Sequence, residues 1–452
     1  MDSEVHFMYE KGFDGDFEAN SQLVDSSEMP PVAGHVAVEY KDFMIVWGGY
    51  YYAAESQYHR PNEFLYIFPY RLCGKTQVWI KYKVDKGDVP PQMTASCGLI
   101  QGSDLFLFGG NWMKRDDHGM RQCSISNNIY KLSLLSGIWT KIAVENNLVP
   151  TPRDKVCGFV TNNGLYFFGG YGPSLRNFGV SKTTFLGSSS EFYEDENQGT
   201  NSWNNQLLHF DGTGWHLVKH SGDIPSHRAA AAVTVIPKEG KAYLFGGRDS
   251  SSRLADFYSL DLKTFVWTKL QSFNPVEEPI GRSWSTLTYN PDGDYMLLYG
   301  GLDNDTCPMS DRYQLEIRNN LVVWKRLDSK AVLPRLWHTS MFVKNAFIFY
   351  AGMYQNPNES APCTSDLEIL QICPSPLLEQ SLRCLIQHQI KTGQLNSESL
   401  RSFALSMPFN LRSISFLTAK ILNFKHQTSL SCPADRQIEK VNLLAFLNRF
   451  CF

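Results

Sequence analysis

The sequence predicts an all-β, six-bladed β-propeller followed by a small C-terminal α-helical segment. Three observations point there. An apolar, strand-like run closed by two small residues recurs six times, a proline-containing turn precedes each recurrence, and a tryptophan stands late in five of the units.

The runs read "FMIVWGGY" ending at Tyr50, "DLFLFGGN" at Asn111, "GLYFFGGY" at Tyr171, "KAYLFGGR" at Arg248, "YMLLYGGL" at Leu302 and "AFIFYAGM" at Met353, where Ala351 replaces the first glycine. Their spacing is roughly 50–60 residues, with one longer interval, which is the kelch period. The turns are "PPVAGH", "PPQMTAS", "TPRDKV", "PSHRAA", "PIGRSW" and "LPRLWH". Trp79, Trp139, Trp215, Trp267 and Trp324 hold the late position and read as packing between neighbouring blades. Runs such as "EFLYIF", "NIYKLSL", "NQLLHF" and "DFYSLDL" fall between, so each unit carries about four short strands, one propeller blade. The sixth unit, "HTSMFV", "AFIFYAG" and "DLEILQI", lacks a fourth strand, and the alternating "EVHFMY" near the N-terminus is expected to supply it. The organisation expected is an N-terminal segment over 1–29, the propeller over 30–373, a helical segment over 374–424 and a tail, also a helix candidate, over 425–452.

Composition narrows the function classes. The chain has 452 residues, 19% charged and 13% aromatic, with a net charge of −3. That is a folded protein with no electrostatic case for nucleic acid or an acidic membrane, so any basic site is local. No run approaches a membrane span and the acidic N-terminus shows no signal-peptide pattern. The ten cysteines form no CxxC pair. They read as reduced thiols of a nuclear or cytoplasmic protein, with no metal or cofactor expected.

Internal comparison singles out residues without an alignment. The third position after the turn proline holds Gly34, Thr94, Lys155, Arg228, Arg282 and Trp337, and the next holds His35, Ala95, Val156, Ala229, Ser283 and His338. Arginine at the first of these positions reads as structural hydrogen bonding. The residue after each small pair is Tyr50, Asn111, Tyr171, Arg248, Leu302 or Met353, so blade architecture requires no cation at Arg248. Segments after these strands and turns before the first strands reach one face of a propeller. Lys155, Tyr171, Arg248, Arg253 and Ser283 are therefore expected to converge, with Trp203 and Trp284 as apolar walls. Two arginines and a hydroxyl suit a carboxylate, which accepts bidentate, charge-assisted bonds. The competing reading pairs the arginines with Asp249 and Asp256. The long segment between Tyr171 and Trp203 reads as an insertion on the binding face.

After Cys373 the pattern turns helical. Leu377, Leu378, Leu382, Leu385, Ile386 and Ile390 keep helical spacing, Ser397 is a candidate N-cap, and "LRSISFLTAKIL" and "DRQIEKVNLLAFLNRFCF" are further amphipathic candidates. Such helices either dock on the propeller or meet a partner.

Residues 30–372 resemble the Kelch domain-containing protein 2 family, through "GHVAV…VWGGY", "GDVPP", "DKVCGFV…FFGGYG", "FGGRDSSSR", "GRSW" and "PRLWHT". The resemblance extends to an Elongin B/C-binding box in "PLLEQSLRCL" (Pro376, Leu377, Ser381, Leu385) and a shorter match to a Cullin-2 box in "MPFNL" (Met407, Pro408, Leu411). It implies a non-catalytic substrate receptor of a Cullin-2 RING ubiquitin ligase, whose propeller captures protein C-termini ending in glycine, typically Gly-Gly. The family's carboxylate-gripping residues fall on Arg248, Arg253 and Ser283, and its other pocket residues on Lys155, Tyr171, Trp203 and Trp284. The chain departs from the family at Ser285, where the motif has histidine, and in the acidic stretch around Glu191–Asn201. The alternatives are a kelch adaptor unconnected with ubiquitin, and a propeller enzyme of the copper-oxidase or sialidase kind. His35 and His338 hold one repeat-equivalent position and read as blade packing rather than metal ligands.

Overall fold

A computed structural model describes residues 21–41, 43–53, 56–70, 78–115, 121–144, 148–175, 185–195, 199–327, 332–343, 345–355 and 362–372. The "EVHFMY" run, the Elongin B/C and Cullin-2 boxes, and the helical segment and tail lie outside them.

Blade 4 shows how the sequence builds one unit. Ala232–Ile236, Lys241–Phe245, Phe257–Asp261 and Val266–Ser272 pair in order as an antiparallel sheet. Blades 1, 2, 3 and 5 repeat this over 36–83, 97–141, 157–217 and 286–327. The described residues of blade 6 form three strands, Thr339–Val343, Ala346–Tyr350 and Leu367–Gln371. A strand at Ser21–Asp25 adds antiparallel to Val78–Lys83, the outer edge of blade 1. The second strand of each blade lies between neighbouring sheets. Phe43–Trp47, Gly164–Phe168 and Ala346–Tyr350 are accordingly buried at every residue, which explains their unbroken apolar runs.

The ring closes. Each blade's first strand lies beside that of the next, and Thr339–Val343 of blade 6 lies beside Val36–Tyr40 of blade 1. The late tryptophans seal the joints as the sequence predicts, each against the residue that precedes the small pair of the preceding blade. Trp139 packs on Trp47, Trp215 on Phe108, Trp267 on Phe168 and Trp324 on Phe245. Trp79 of blade 1 packs on Tyr350 of blade 6, with ring centroids 4.7 Å apart, and completes the circle.

The small pair has an unequal chemistry. Its first residue has a left-handed φ of 58° at Ala351 and 63° at Gly246, a region alanine can enter. Its second is glycine with φ 96° at Gly247 and 94° at Gly352, outside the narrow left-handed region open to alanine. The one alanine of the six pairs accordingly stands at the first position.

The proline count misphases three blades. Six residues carry left-handed φ and one inter-blade hydrogen bond each, and they are Gly34, Ala95, Lys155, Ala230, Trp284 and Trp337. Thr94, Arg228 and Arg282 are not the counterparts of Lys155; Ala95, Ala230 and Trp284 are. The turns of blades 2, 4 and 5 are longer than those of the others, and backbone pairing, not the proline, sets the phase. Likewise Ser96, Ala231 and Ser285 replace Ala95, Ala229 and Ser283 as counterparts of His35 and His338.

Candidate ligand-binding site at the channel mouth

The six left-handed residues form a closed ring of backbone hydrogen bonds around the axis. Ala95 N donates to Gly34 O (2.9 Å), Lys155 N to Ala95 O (3.0 Å), Ala230 N to Lys155 O (2.8 Å) and Trp284 N to Ala230 O (3.0 Å). Trp337 N donates to Trp284 O (3.0 Å) and Gly34 N to Trp337 O (3.4 Å). Left-handed backbone costs a bulky residue about 1–2 kcal/mol, yet Lys155, Trp284 and Trp337 adopt it, so the ring holds these three side chains at the mouth.

The residue just before each ring position pairs with the residue just after each small pair. Ala229 exchanges backbone bonds with Arg248, Asp154 with Tyr171 and Ser283 with Leu302. This is why residues far apart in sequence share one rim.

Blade 4 supplies two cations to that rim. Arg248 is exposed and bridges to Arg253 across a short turn. Arg253 Nε donates to Ser283 Oγ at 3.1 Å. Asn304 of blade 5 clamps the Arg253 backbone, accepting from its N at 2.7 Å and donating to its O at 3.2 Å. Burial first, and then the charge of Arg248, lower the Arg253 pKa, against an opposing pull from Asp303. Among the described residues neither arginine forms an ion pair. The two candidate acids are engaged elsewhere: Asp249 caps the turn through Ser251 and Ser252, and Asp256 holds Arg228. The surface ion-pair reading is therefore overturned.

Blade 3 contributes a polar, largely self-satisfied corner. Lys155 Nζ lies 2.7 Å from both Asp154 carboxylate oxygens, and Asp154 also accepts from Asn111 at 2.6 Å. Lys155 thus reaches the mouth as half of an ion pair. Tyr171 donates to Asp195 at 2.8 Å, and burial together with that carboxylate pushes its pKa up to about 12. The insertion between Tyr171 and Trp203 folds back on the same face as a three-stranded sheet of Tyr171–Pro173, Asn201–Asn204 and Phe192–Glu194. Its register sets Trp203 opposite Tyr171, with ring centroids 4.8 Å apart and Trp203 buried. Trp203 therefore backs Tyr171 rather than forming an open wall.

The opposite side of the mouth is aromatic. Trp284 stacks on Trp337 at 5.1 Å, and Trp337 meets the edge of Tyr50 at 5.5 Å. Tyr50 donates to the Met353 sulfur at 3.4 Å and packs on Tyr52. Trp337, Tyr50 and Asn304 were not assigned to the site from sequence. Tyr50 does hold the position after a small pair, the same signal that picks out Arg248. The sequence-predicted residues Arg248, Arg253 and Ser283 come together in direct contact, as do Lys155, Tyr171 and Trp203.

Residues 34–186 and 189–373 match the KLHDC2/KLHL20/DRC7 Kelch-repeats domain. The chain belongs to this kelch-repeat family. Kelch domain-containing protein 1 of Mus musculus is 33% identical over 369 residues, covering 79% of this chain and 84% of the relative. Kelch domain-containing protein 2 of Homo sapiens is 30% identical over 372 residues, covering 78% and 84%. The solved structure of YjhT covers 75% of this chain and 94% of its own, with a TM-score of 0.50 at 16% identity, a likeness of fold alone. Among the described residues no group of three or more His, Cys, Asp or Glu could hold a metal ion, and no helix is long and apolar enough to cross a membrane.

Proposed function

We propose that this kelch propeller is the substrate receptor of a Cullin-2 RING ubiquitin ligase, and that its channel mouth grips the C-terminal carboxylate of proteins ending in glycine. The observation that carries the reading is the pair Arg248 and Arg253, free of carboxylate partners among the described residues, beside the Ser283 hydroxyl. Two like charges this close disfavour each other, and a bound carboxylate relieves that repulsion. Charge-assisted bonds of this kind contribute about 1.5–3 kcal/mol each. Glycine is preferred because large side chains around the carboxylate leave no room for a Cβ.

Arg248, Arg253 and Ser283 hold the carboxylate in this reading. Lys155, Tyr171 and Trp284 line the approach and Trp203 supports Tyr171. Pro376, Leu377, Ser381 and Leu385 recruit Elongin B/C, and Met407, Pro408 and Leu411 engage Cullin-2. The chain itself performs no chemistry. It positions substrates for a ligase acting in the nucleus or cytoplasm.

Fluorescent peptides ending in Gly-Gly test the pocket. Binding is expected with a free terminus and lost on amidation, and equal binding of both forms would refute the carboxylate mechanism. Co-purification with Elongin B/C tests the partner. Replacing Leu377 and Ser381 is expected to remove it, and unchanged recovery would favour an adaptor unconnected with ubiquitin.

A further inference from the structure

The three most exposed large apolar side chains among the described residues stand in one eight-residue segment. They are Phe273 at 65%, Val276 at 100% and Ile280 at 57%, and no other exceeds 45%. Single apolar residues scattered over a surface are ordinary. Three of them in the one connection between blades 4 and 5 point to a contact surface.

Their exposure belongs to an ordered backbone. Phe273 N donates to Val322 O at 2.8 Å, and Asn274 clamps Trp324, accepting from its N at 3.1 Å and donating to its O at 2.8 Å. Pro275–Glu277 is a 3-10 turn, closed by Glu277 N donating to Asn274 O at 3.0 Å. The Ile280 carbonyl accepts from Arg282 Nε at 3.1 Å. Blade architecture does not require the phenylalanine. Ser272 pairs in parallel with Val322 as Gly87 does with Trp139 and Gly222 with Trp267, so Asp88, Asp223 and Phe273 are counterparts. Asp88 and Asp223 accept from the backbone N of Lys141 and Lys269, each at 3.0 Å. Asn274 makes that bond here, through Trp324 N, and Phe273 is left with no part in it.

The inner end of the segment abuts the arginine pair. An added Cβ at Gly281 would stand 2.1 Å from the Arg253 carbonyl oxygen, and Arg282 N donates to Leu254 O at 3.0 Å. Ile280, one residue earlier, therefore stands beside the Arg253 backbone. From there the strip runs outward through Val276 to Phe273, seven residue steps and so at most about 25 Å. Glu277 and Glu278 lie exposed along it and disfavour an acidic occupant.

We propose that this strip receives the stretch just upstream of the terminus in the same protein whose carboxylate Arg248 and Arg253 hold, and that it selects apolar residues within about eight positions of the terminal glycine. The inference rests on the carboxylate reading and extends it from the last residues to those before them.

Two fluorescent peptides of about ten residues, both ending in Gly-Gly, test this on the purified full chain. One carries leucine and phenylalanine upstream, the other serine in their place. The apolar peptide should bind about tenfold tighter in anisotropy. The double variant Phe273→Ser, Ile280→Ser should reduce it to the affinity of the serine peptide and leave the serine peptide unchanged. If amidation abolishes binding but the parent holds both peptides alike, the strip is overturned and the carboxylate reading stands. If amidation changes nothing while the apolar advantage persists, the carboxylate reading fails and takes with it the strip's tie to a chain end. A lower melting temperature in the double variant, or self-association of the parent that the variant loses in sedimentation, would also overturn the proposal, because the chain itself or a second copy would then cover the strip.

Discussion

Two sets of arginines lie within a few residues of the same ring and do opposite things. Arg153, Arg228, Arg282 and Arg335 each stand two residues before a ring position and are at most 1% exposed. Each donates to the carbonyl of the first residue of a small pair: Gly169, Gly246, Gly300 and Ala351. Arg228, Arg282 and Arg335 also bind Asp256, Asp311 and Asp366 of their own blades. Arg153 has Asn204 and Gln206 instead of a carboxylate, and burial, against a weaker pull from Glu191, lowers its pKa to about 9. Blades 1 and 2 carry Val32 and Met93 at this position, both buried. Arg248 and Arg253 have the same chemistry and none of these partners. A guanidinium is structural when the fold surrounds it with acceptors, and open to a ligand when the fold brings it beside another cation.

The largest test of that contrast is stability. Arg282→Ala strands Asp311 in a buried site and should destabilise the protein by about 3–5 kcal/mol in chemical denaturation. Arg248→Ala should stay within about 0.5 kcal/mol of the parent. Equal losses would erase the distinction.

The next test reverses the ranking. Arg248→Ala or Arg253→Ala should weaken a Gly-Gly-ended peptide by about 10- to 100-fold in fluorescence anisotropy, the loss of one charge-assisted bond. Full affinity in both variants would take the ligand away from the rim.

Acid sensitivity belongs to the buried set. Burial raises the Asp256 pKa, but the bonds and charge of Arg228 outweigh it and hold the carboxyl below its ordinary value. A depressed folded-state pKa contributes stability that is present above about pH 4 and lost as pH falls through the folded value. Asp256→Asn should therefore lower stability at neutral pH and flatten its decline below pH 4. An unchanged acid limb would show that Arg228 does not carry this dependence.

The smallest effect concerns positioning. Asn304→Ala removes both bonds to the Arg253 backbone and should weaken the peptide about three- to tenfold with little change in melting. Loss of melting temperature without loss of affinity would make Asn304 a structural clamp only.

The period, the blade number and the packing role of the late tryptophans are legible in the chain, because these repeat along it and each follows from local pattern. The sequence also marked Arg248, since one blade departs from its five siblings after the small pair. It misphased the ring at Thr94, Arg228 and Arg282, because turn length varies between blades while inter-blade backbone bonds fix the phase. The three-dimensional fold alone shows that Asp249 and Asp256 are occupied, that Lys155 is paired with its own neighbour, and that Trp284, Trp337 and Tyr50 meet although blades 5, 6 and 1 supply them. Such contacts depend on ring closure, which joins the first blade to the last, and no local run of residues encodes the distance between chain segments that the closed circle makes adjacent.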